Sequence, residues 1–379
     1  MRILYFYPEN PLLLTQGNNA RALSLLHYFK ERNIDVDFVS EQSKFFDEVD
    51  LNQLKEKGLI NQGHLLKRFQ RSKHQLRYFF YFSLPNKIFK KIKHFQRSIF
   101  GHQERFDQIL KNNSYDFIII SYACWASLII KNKNLKNAKV FIDTHDFLTS
   151  QFQNVKKFKL GKYFETEIGL LSHFDEIFVI SVEEKYIFKQ FIDKPIHILP
   201  HLLNNNFNKD QVDKTYDIIY VASNNEHNIK SINWFLEEVY PLLNKSIKIL
   251  VVGKIINHFN DFDTITKMEH IQDLKAAYHK SKIAICPILS GTGLKIKVVE
   301  ALSFGLPIVS SENGVDGMIN KTNNGCLVSN CPIKFAENIE KLVSDEEFYM
   351  KNSLLAQNYF FENNDVKQMY SKIDKFFNL

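Results

Sequence analysis

Short apolar runs alternate with amphipathic stretches along most of the chain. Residues 2–7 and 34–40 read as strands, and between them ARALSLLHYFKERN places Ala22, Leu25, Leu26 and Phe29 on one helical face, so the chain opens as a βαβ unit. Further strands are predicted at FDQIL (106–110), 115–121, 138–145 and 176–181, each followed by helical patterning. Over 198–217 the periodicity lapses into a polar, Asn-rich linker. A second series follows, with DIIYVAS (217–223), the helical SINWFLEEVYPLL, the strand IKILVVG and then DLKAAYHKSKIAICP. Its runs IIYVA, IKILVVG, IAICPIL and PIVSS are almost continuously apolar, as strands covered on both faces of a parallel sheet are. Beyond Ser344 the pattern is helical. The fold class is α/β, in two doubly wound halves.

Composition narrows this little. A chain of 379 residues exceeds one ordinary core, and 45% hydrophobic with 24% charged residues describes a globular protein. The longest nearly apolar stretch, 117–130, is too short to cross a membrane and is broken by Ser121, so strand followed by helix is its reading. MRILYFYPEN begins a strand with no signal-peptide pattern, and a cytoplasmic location is expected. Cys124, Cys286, Cys326 and Cys331 lack metal-ligand spacing and read as packing thiols. The net charge of +7 is local: eleven cations between Lys67 and Arg105 face only Glu104.

The helix predicted after Gly293 carries the wrong charge at its start. Helix N-termini favour carboxylates, yet the first turn offers Lys295 and Lys297, with no acid before Glu300. Unpaired N–H groups, Gly293 and two ammonium groups suit a phosphate or diphosphate. On the helix Leu294, Val298, Ala301 and Leu302 form an apolar flank, while Lys297 and Glu300 lie three apart and can also be read as a surface ion pair. A second cluster, Asp143, His145 and Asp146, ends the strand AKVFID where open α/β sheets bind ligands, although a His between two Asp residues also serves as a loop hydrogen-bonding centre. Gly17, Asn18 and Asn19 precede the first helix, and Ser223 and Asn224 end the first strand of the second series; turn or cap roles account for them equally. Arg21, a turn inside the first helix, reads as a weaker cation candidate or a solvated side chain.

The stretch GTGLKIKVVEALSFGLPIVSS resembles the donor motif of nucleotide-sugar-dependent glycosyltransferases of the GT-B fold, specifically the retaining family 4 group. VASNNEHNIKSINWFLEEVYPLL with ILVVGK, and DLKAAYHKSKIAICP, resemble the segments flanking it; Gly17 and DTHD (143–146) carry a looser likeness in the first half. The resemblance implies two Rossmann-like domains facing a cleft: residues 1–200 on the acceptor side, 201–355 on the donor side, and a helix at 356–379 crossing back to the first domain. It implies that Glu300 binds the donor ribose, that Lys295 or Lys297 with the backbone of Gly293 and Leu294 neutralises the diphosphate, and that Gly17, Ser223 and Asn224 lie on its phosphate side. Thr292 stands where the family usually has the first Glu of a Glu-x7-Glu pair. His145 and Asp146 would be the catalytic-side residues, contacting donor or acceptor, with Asp146 as a base. No metal and no cofactor beyond the nucleotide diphosphate sugar as co-substrate is implied.

The interval 67–105 mixes its cations with Phe69, Tyr78, Phe79, Phe80, Tyr81, Phe82, Phe89, Phe95 and Phe100. An anionic membrane surface and solvated helices with an aromatic core face both fit; nucleic acid is not expected, because the chain has no nucleic-acid-binding signature. The resemblance favours the membrane, with a glycan or lipid-linked acceptor, and places the activity in cell-surface polysaccharide or glycoconjugate synthesis. The competing reading is a catalytically silent GT-B subunit. A nicotinamide dehydrogenase is set aside, since PENPLLLTQGNN lacks the G-x-G-x-x-G spacing.

Overall fold

The computed structural model describes residues 1–13, 17–84, 92–130, 132–207, 213–291 and 293–379, without the side chains of Tyr81 and Phe82. Thr292, together with Lys87, Phe89, Lys90 and Lys91 of the basic interval, therefore lies outside the described residues. The chain divides into two compact units, Met1–Leu199 and Pro200–Leu379.

In the first unit β1 (Arg2–Phe6), β2 (Asp35–Glu41), β3 (Gln62–Leu66), β4 (Phe117–Ser121), β5 (Lys139–Asp143), β6 (Glu176–Val179) and β7 (Ile196–Ile198) form one sheet in the order β3-β2-β1-β4-β5-β6-β7. Every pairing is parallel, with Ile3 opposite Val36 on one side and Phe117 on the other. β1 and β4 are buried throughout their apolar residues because helices cover both faces of the sheet. The second unit repeats the scheme with β8 (Tyr216–Val221), β9 (Ile249–Val252), β10 (Ile265–Met268), β11 (Ser281–Cys286), β12 (Ile308–Ser310) and β13 (Cys326–Val328), in the order β10-β9-β8-β11-β12-β13, again all parallel. In each unit the order reverses beside the first strand, at β1/β4 and at β8/β11. A ligand crevice opens at the carboxyl ends of the strands at such a reversal.

Three expectations need correction. FDQIL is no strand; it lies inside the helix His102–Asn112, where Phe106 and Leu110, four apart, are both buried on one face. After β4 the chain takes a 3-10 turn, Ala123–Leu128, instead of an α-helix, entered through Tyr122 at φ 66°. Position 356 begins no new helix: it falls within Glu346–Asn363, whose buried residues Asn352, Ser353, Ala356, Tyr359 and Phe360 run across it without a break. That helix is fixed in the second unit, Ser353 Oγ donating to the Gly305 carbonyl at 2.7 Å and Asn364 Nδ2 just beyond it to the His201 carbonyl at 2.9 Å.

Gly253, directly after β9, has φ 110°, and a Cβ there would sit 2.2 Å from the Ala222 carbonyl oxygen. The close approach belongs to the turn that brings the ends of β8 and β9 together. Gly253→Ala is expected to destabilise the second unit well beyond the ~1–2 kcal/mol of left-handed backbone strain alone. Denaturant unfolding checks this, with Gly293→Ala as the comparison, since Gly293 is also left-handed (φ 77°) but has nothing within 4 Å of its Cβ position.

Candidate functional site

In the second unit the chain leaves β11 through Pro287–Ser290, turns through Gly291 at φ 101° and Gly293 at φ 77°, and enters the helix Ile296–Ser303. Lys295 is its N-cap and not a first-turn residue, and no side chain caps the helix. Lys295 Nζ folds back onto the loop, donating to the Gly293 carbonyl at 2.7 Å and the Gly291 carbonyl at 3.3 Å. Lys297, inside the first turn, donates at 2.8 Å to Asn228 Oδ1 and stands 4.9 Å from the centre of the Tyr220 ring. Burial pushes its ammonium below the usual lysine range; Lys295 adds to that, while Glu300 opposes it.

Glu300 and Lys297 do not pair as neighbours on the surface; each has its own partner. Glu300 Oε2 accepts from Tyr278 Oη at 3.4 Å, and Tyr278 stacks on Phe304 with ring centres 4.7 Å apart. Burial raises the Glu300 carboxyl, against Tyr278 and Lys297. The apolar flank Val298, Ala301 and Leu302 is 1% exposed or less, so the helix has one orientation available and its polar edge stays open.

Across the β8/β11 reversal, Ser223 and Asn224 follow β8 and are exposed. Asn225 caps the helix Glu226–Trp234 by accepting from Asn228 N at 2.9 Å. Asn228, buried, donates Nδ2 to the Ser223 carbonyl at 2.8 Å, which turns its Oδ1 toward Lys297. His227 Nδ1 lies 2.8 Å from Ser290 Oγ on the opposite loop. Asn228 and His227 were not among the residues the sequence singles out. Their signal is weak, a capped turn after a strand, because the contacts they make are 69 and 63 residues away.

In the first unit the β1/β4 reversal gathers a denser polar group. Arg21, far from being solvated, is 2% exposed and clamps the fully buried Asp143, with Nη2 2.8 Å and Nε 3.2 Å from Oδ1; Nη1 donates to the Leu199 carbonyl. Burial alone would raise the Asp143 carboxyl, but Arg21 and His145 reverse that and hold it below the usual carboxylate range. His145 Nε2 lies 3.3 Å from Asp143 Oδ2 and 3.1 Å from Ser121 Oγ, and its ring stacks on Tyr122 at 4.5 Å. Burial takes its pKa to about 4, so the ring is neutral near pH 7. Because Asp143 only accepts, the Nε2 proton faces it and Nδ1 keeps the lone pair, with no hydrogen-bond partner among the described residues. His145 (φ 57°) and Tyr122 (φ 66°) are both left-handed, a strain of the kind that clusters at binding and active sites.

Gly17 starts the helix Gly17–Glu31 at this point, with no acid in its first turn. Asn18 Nδ2 donates to Tyr122 Oη at 2.7 Å, and Asn19 accepts from Tyr7 Oη at 2.7 Å. Asn18, Tyr122 and Asp146 share the wall of a cavity of about 160 Å³ that also includes Arg97, Trp125 and Phe152. Burial raises Asp146 to about 6, opposed by Arg21 and Asn18 and helped by Asp143 and Glu9. Beneath its loop, Glu167 accepts from the backbone N–H groups of Leu148 and Thr149 at 2.9 and 2.7 Å, and burial lifts it to about 7.

The sheet order and the two reversals make two Rossmann-like α/β units, and comparison with known proteins agrees with the GT-B fold. Residues 215–345, within the second unit, match the family described as glycosyl transferases group 1. An uncharacterised 44.6 kDa protein in the cps region of Klebsiella pneumoniae is 23% identical over 303 residues, 72% of this chain and 77% of its own length. Among solved structures, TarM (TM-score 0.71, 11% identity, 100% and 99% of the two chains) has the same fold. So do Anabaena HepE in complex with UDP (0.71, 12%, 100% of both) and the sucrose-phosphate synthase of Thermosynechococcus elongatus (0.71, 12%, 100% and 98%).

Proposed function

We propose that the chain transfers a sugar from a nucleotide diphosphate sugar to a glycan or lipid-linked acceptor, with retention of configuration as in family 4, without a metal, in the assembly of a surface polysaccharide. The observation that carries this is Lys297: an ammonium on the first turn of a helix with no N-terminal acid, oriented by Asn228 at 2.8 Å and already short of solvent. A diphosphate arriving there supplies the anion both the helix and the lysine lack. As the sugar–phosphate bond breaks, negative charge grows on the leaving diphosphate, and preorganised donors at that point lower the barrier. Lys297 and the N–H groups of Gly293 and Leu294 fill that role; Lys295 holds the turn by its carbonyl bonds, and Glu300 accepts from the ribose hydroxyls. Ser223 and Asn224 follow β8 at the crevice of the second unit and are assigned to the phosphate side; Gly17 starts the first helix at the crevice of the first unit. Thr292 lies between Gly291 and Gly293 in the sequence and is kept as a donor-side residue.

HepE was solved with UDP and glucose and GtfA with UDP and GlcNAc, which makes UDP-sugars the first donors to test. In a thermal-shift screen of sugar nucleotides, one donor should stabilise the protein above the others, followed by nucleotide diphosphate release when an acceptor is added. Absence of both sinks the proposal. The relative in a cps region supports the pathway. No described helix is long and apolar enough to cross a membrane. Contact with a lipid-linked acceptor is assigned to the basic interval 67–105, whose cations and aromatic side chains suit an anionic surface.

On the acceptor side we assign Asp146 as the base and His145 Nδ1 as an acceptor for a sugar hydroxyl. Asp146 accepts a proton only when ionised, and burial places its pKa at about 6. The rate kcat/KM should therefore fall as pH drops through about 6, and Asp146→Asn should remove that limb while lowering the plateau by about 10²–10⁴. A pH–rate profile of both proteins decides it; an unaltered limb in the variant assigns the titration elsewhere.

A further inference from the structure

The donor chemistry leaves the ends of β2 and β3 unused, and two pockets meet there. One, of about 520 Å³, is walled by Lys67, Arg68, Lys73, His74 and Arg105. Among the described residues Lys67 alone of these cations has a carboxylate partner within ion-pair distance, Glu48 at 2.9 Å, and that pair is open to water, 40% and 63% exposed. Arg105 is preset: Nε donates to the Lys67 carbonyl at 3.1 Å and the guanidinium lies 5.5 Å from the centre of the Phe69 ring. Arg68 and Lys73 project into solvent. Glu41 adds a carboxylate close enough to feel Arg68, so four cations face two acids.

The second pocket, of about 380 Å³, shares Arg68, Phe69 and Gln70 with the first but is lined by Tyr78, Ile99 and Phe100. Its rings are clamped. Phe69 N donates to the Phe100 carbonyl at 3.0 Å, Phe69 and Tyr78 both meet Phe100 edge-on at 5.5 Å, and Arg71 covers Tyr78 at 4.6 Å. Gly101, at φ 101°, permits this contact, because a Cβ there would lie 2.7 Å from Phe69. Leu76, Phe79 and Phe80 extend the apolar surface at 76%, 46% and 57% exposure.

We infer that the two pockets are one site for a lipid phosphate ester, with its phosphoryl group among Lys67, Arg68, Lys73 and Arg105 and its first hydrocarbon units against Phe69, Tyr78 and Phe100. Forked guanidinium groups with ammonium partners match the several oxygens of a phosphoryl group better than a single carboxylate. An apolar compartment joined to that seat selects an amphiphile over a nucleotide strand, whose phosphates recur at every residue. As the seat of an acceptor's carrier the site rests on the proposed transferase reaction; as a binding site it does not.

Full-length protein is to be sedimented with phosphatidylcholine vesicles carrying either a prenyl phosphate or phosphatidylglycerol at equal surface charge. UDP binding is followed in parallel by thermal shift. The prenyl phosphate vesicles should bind about tenfold more tightly, the gain of one charge-assisted hydrogen bond, and Arg68→Glu/Lys73→Glu should erase the preference while UDP binding persists. Both positions are exposed, so the substitutions leave the core intact. Equal binding to both vesicles, a preference that survives the double substitution, or tighter binding of a single-stranded oligonucleotide overturns the inference. Loss of UDP binding by the unaltered protein with the lipid preference intact overturns the donor assignment instead.

Discussion

Lys297→Ala is expected to lower kcat/KM by about 10²–10³, the usual cost of removing one donor that stabilises developing charge. The fold should survive it. Val298, Ala301 and Leu302 anchor the helix on its other side, and the cost of leaving Asn228 Oδ1 without its donor is about 1–3 kcal/mol. Lys295→Ala separates charge from architecture, since the Lys295 ammonium is already engaged by the carbonyls of Gly291 and Gly293. That variant should disturb the turn and weaken donor binding less than Lys297→Ala does. Steady-state kinetics with a donor titration measures both, and a Lys297→Ala protein with unchanged donor affinity and turnover ends the assignment.

Arg21→Leu should cost about 3–5 kcal/mol of stability, because it strands the Asp143 carboxylate, 0% exposed, without its counter-charge. The loss also reaches the site: Asp143 orients His145 through Nε2, and Arg21 helps to keep that ring neutral. Adding Asp143→Asn should recover a large part of the stability, since it removes the orphaned charge, yet leave His145 without its anionic partner. Urea unfolding of the single and double variants tests the pair. Simple additivity of the two losses would show that Arg21 and Asp143 do not act together.

The sequence made the two parallel sheets legible because their central strands are covered on both faces. FIIIS in β4 and ILVV in β9 are buried along their whole length and leave no other assignment. Edge strands were harder. QGHLL in β3 is half exposed, and β7 and β13 are three residues long, too short for any period to declare itself. FDQIL failed for the opposite reason: two apolar residues four apart satisfy a strand end and a helix face alike. At the site, the glycine turn and its lysines stand together in the chain and could be read as one charge anomaly. Arg21 could not, since its partner Asp143 is 122 residues away and an arginine in the first turns of a helix looks like any solvated cation. Asn228 was hidden in the same way: its donor, Lys297, is remote, and only the fold supplies it.

The connection from β3 to β4 carries the cationic and aromatic pockets, yet neither strand depends on it for register. β3 is paired to β2, and β4 is locked between β1 and β5. The exposed charges of that connection, such as Arg68 and Lys73, can therefore change without disturbing the sheet, whereas its buried Phe95, Phe106 and Leu110, like the apolar flank of the helix Ile296–Ser303, cannot. Under the proposed assignments, a new acceptor carrier is reached by rewriting those surface charges alone, with the donor residues left as they are.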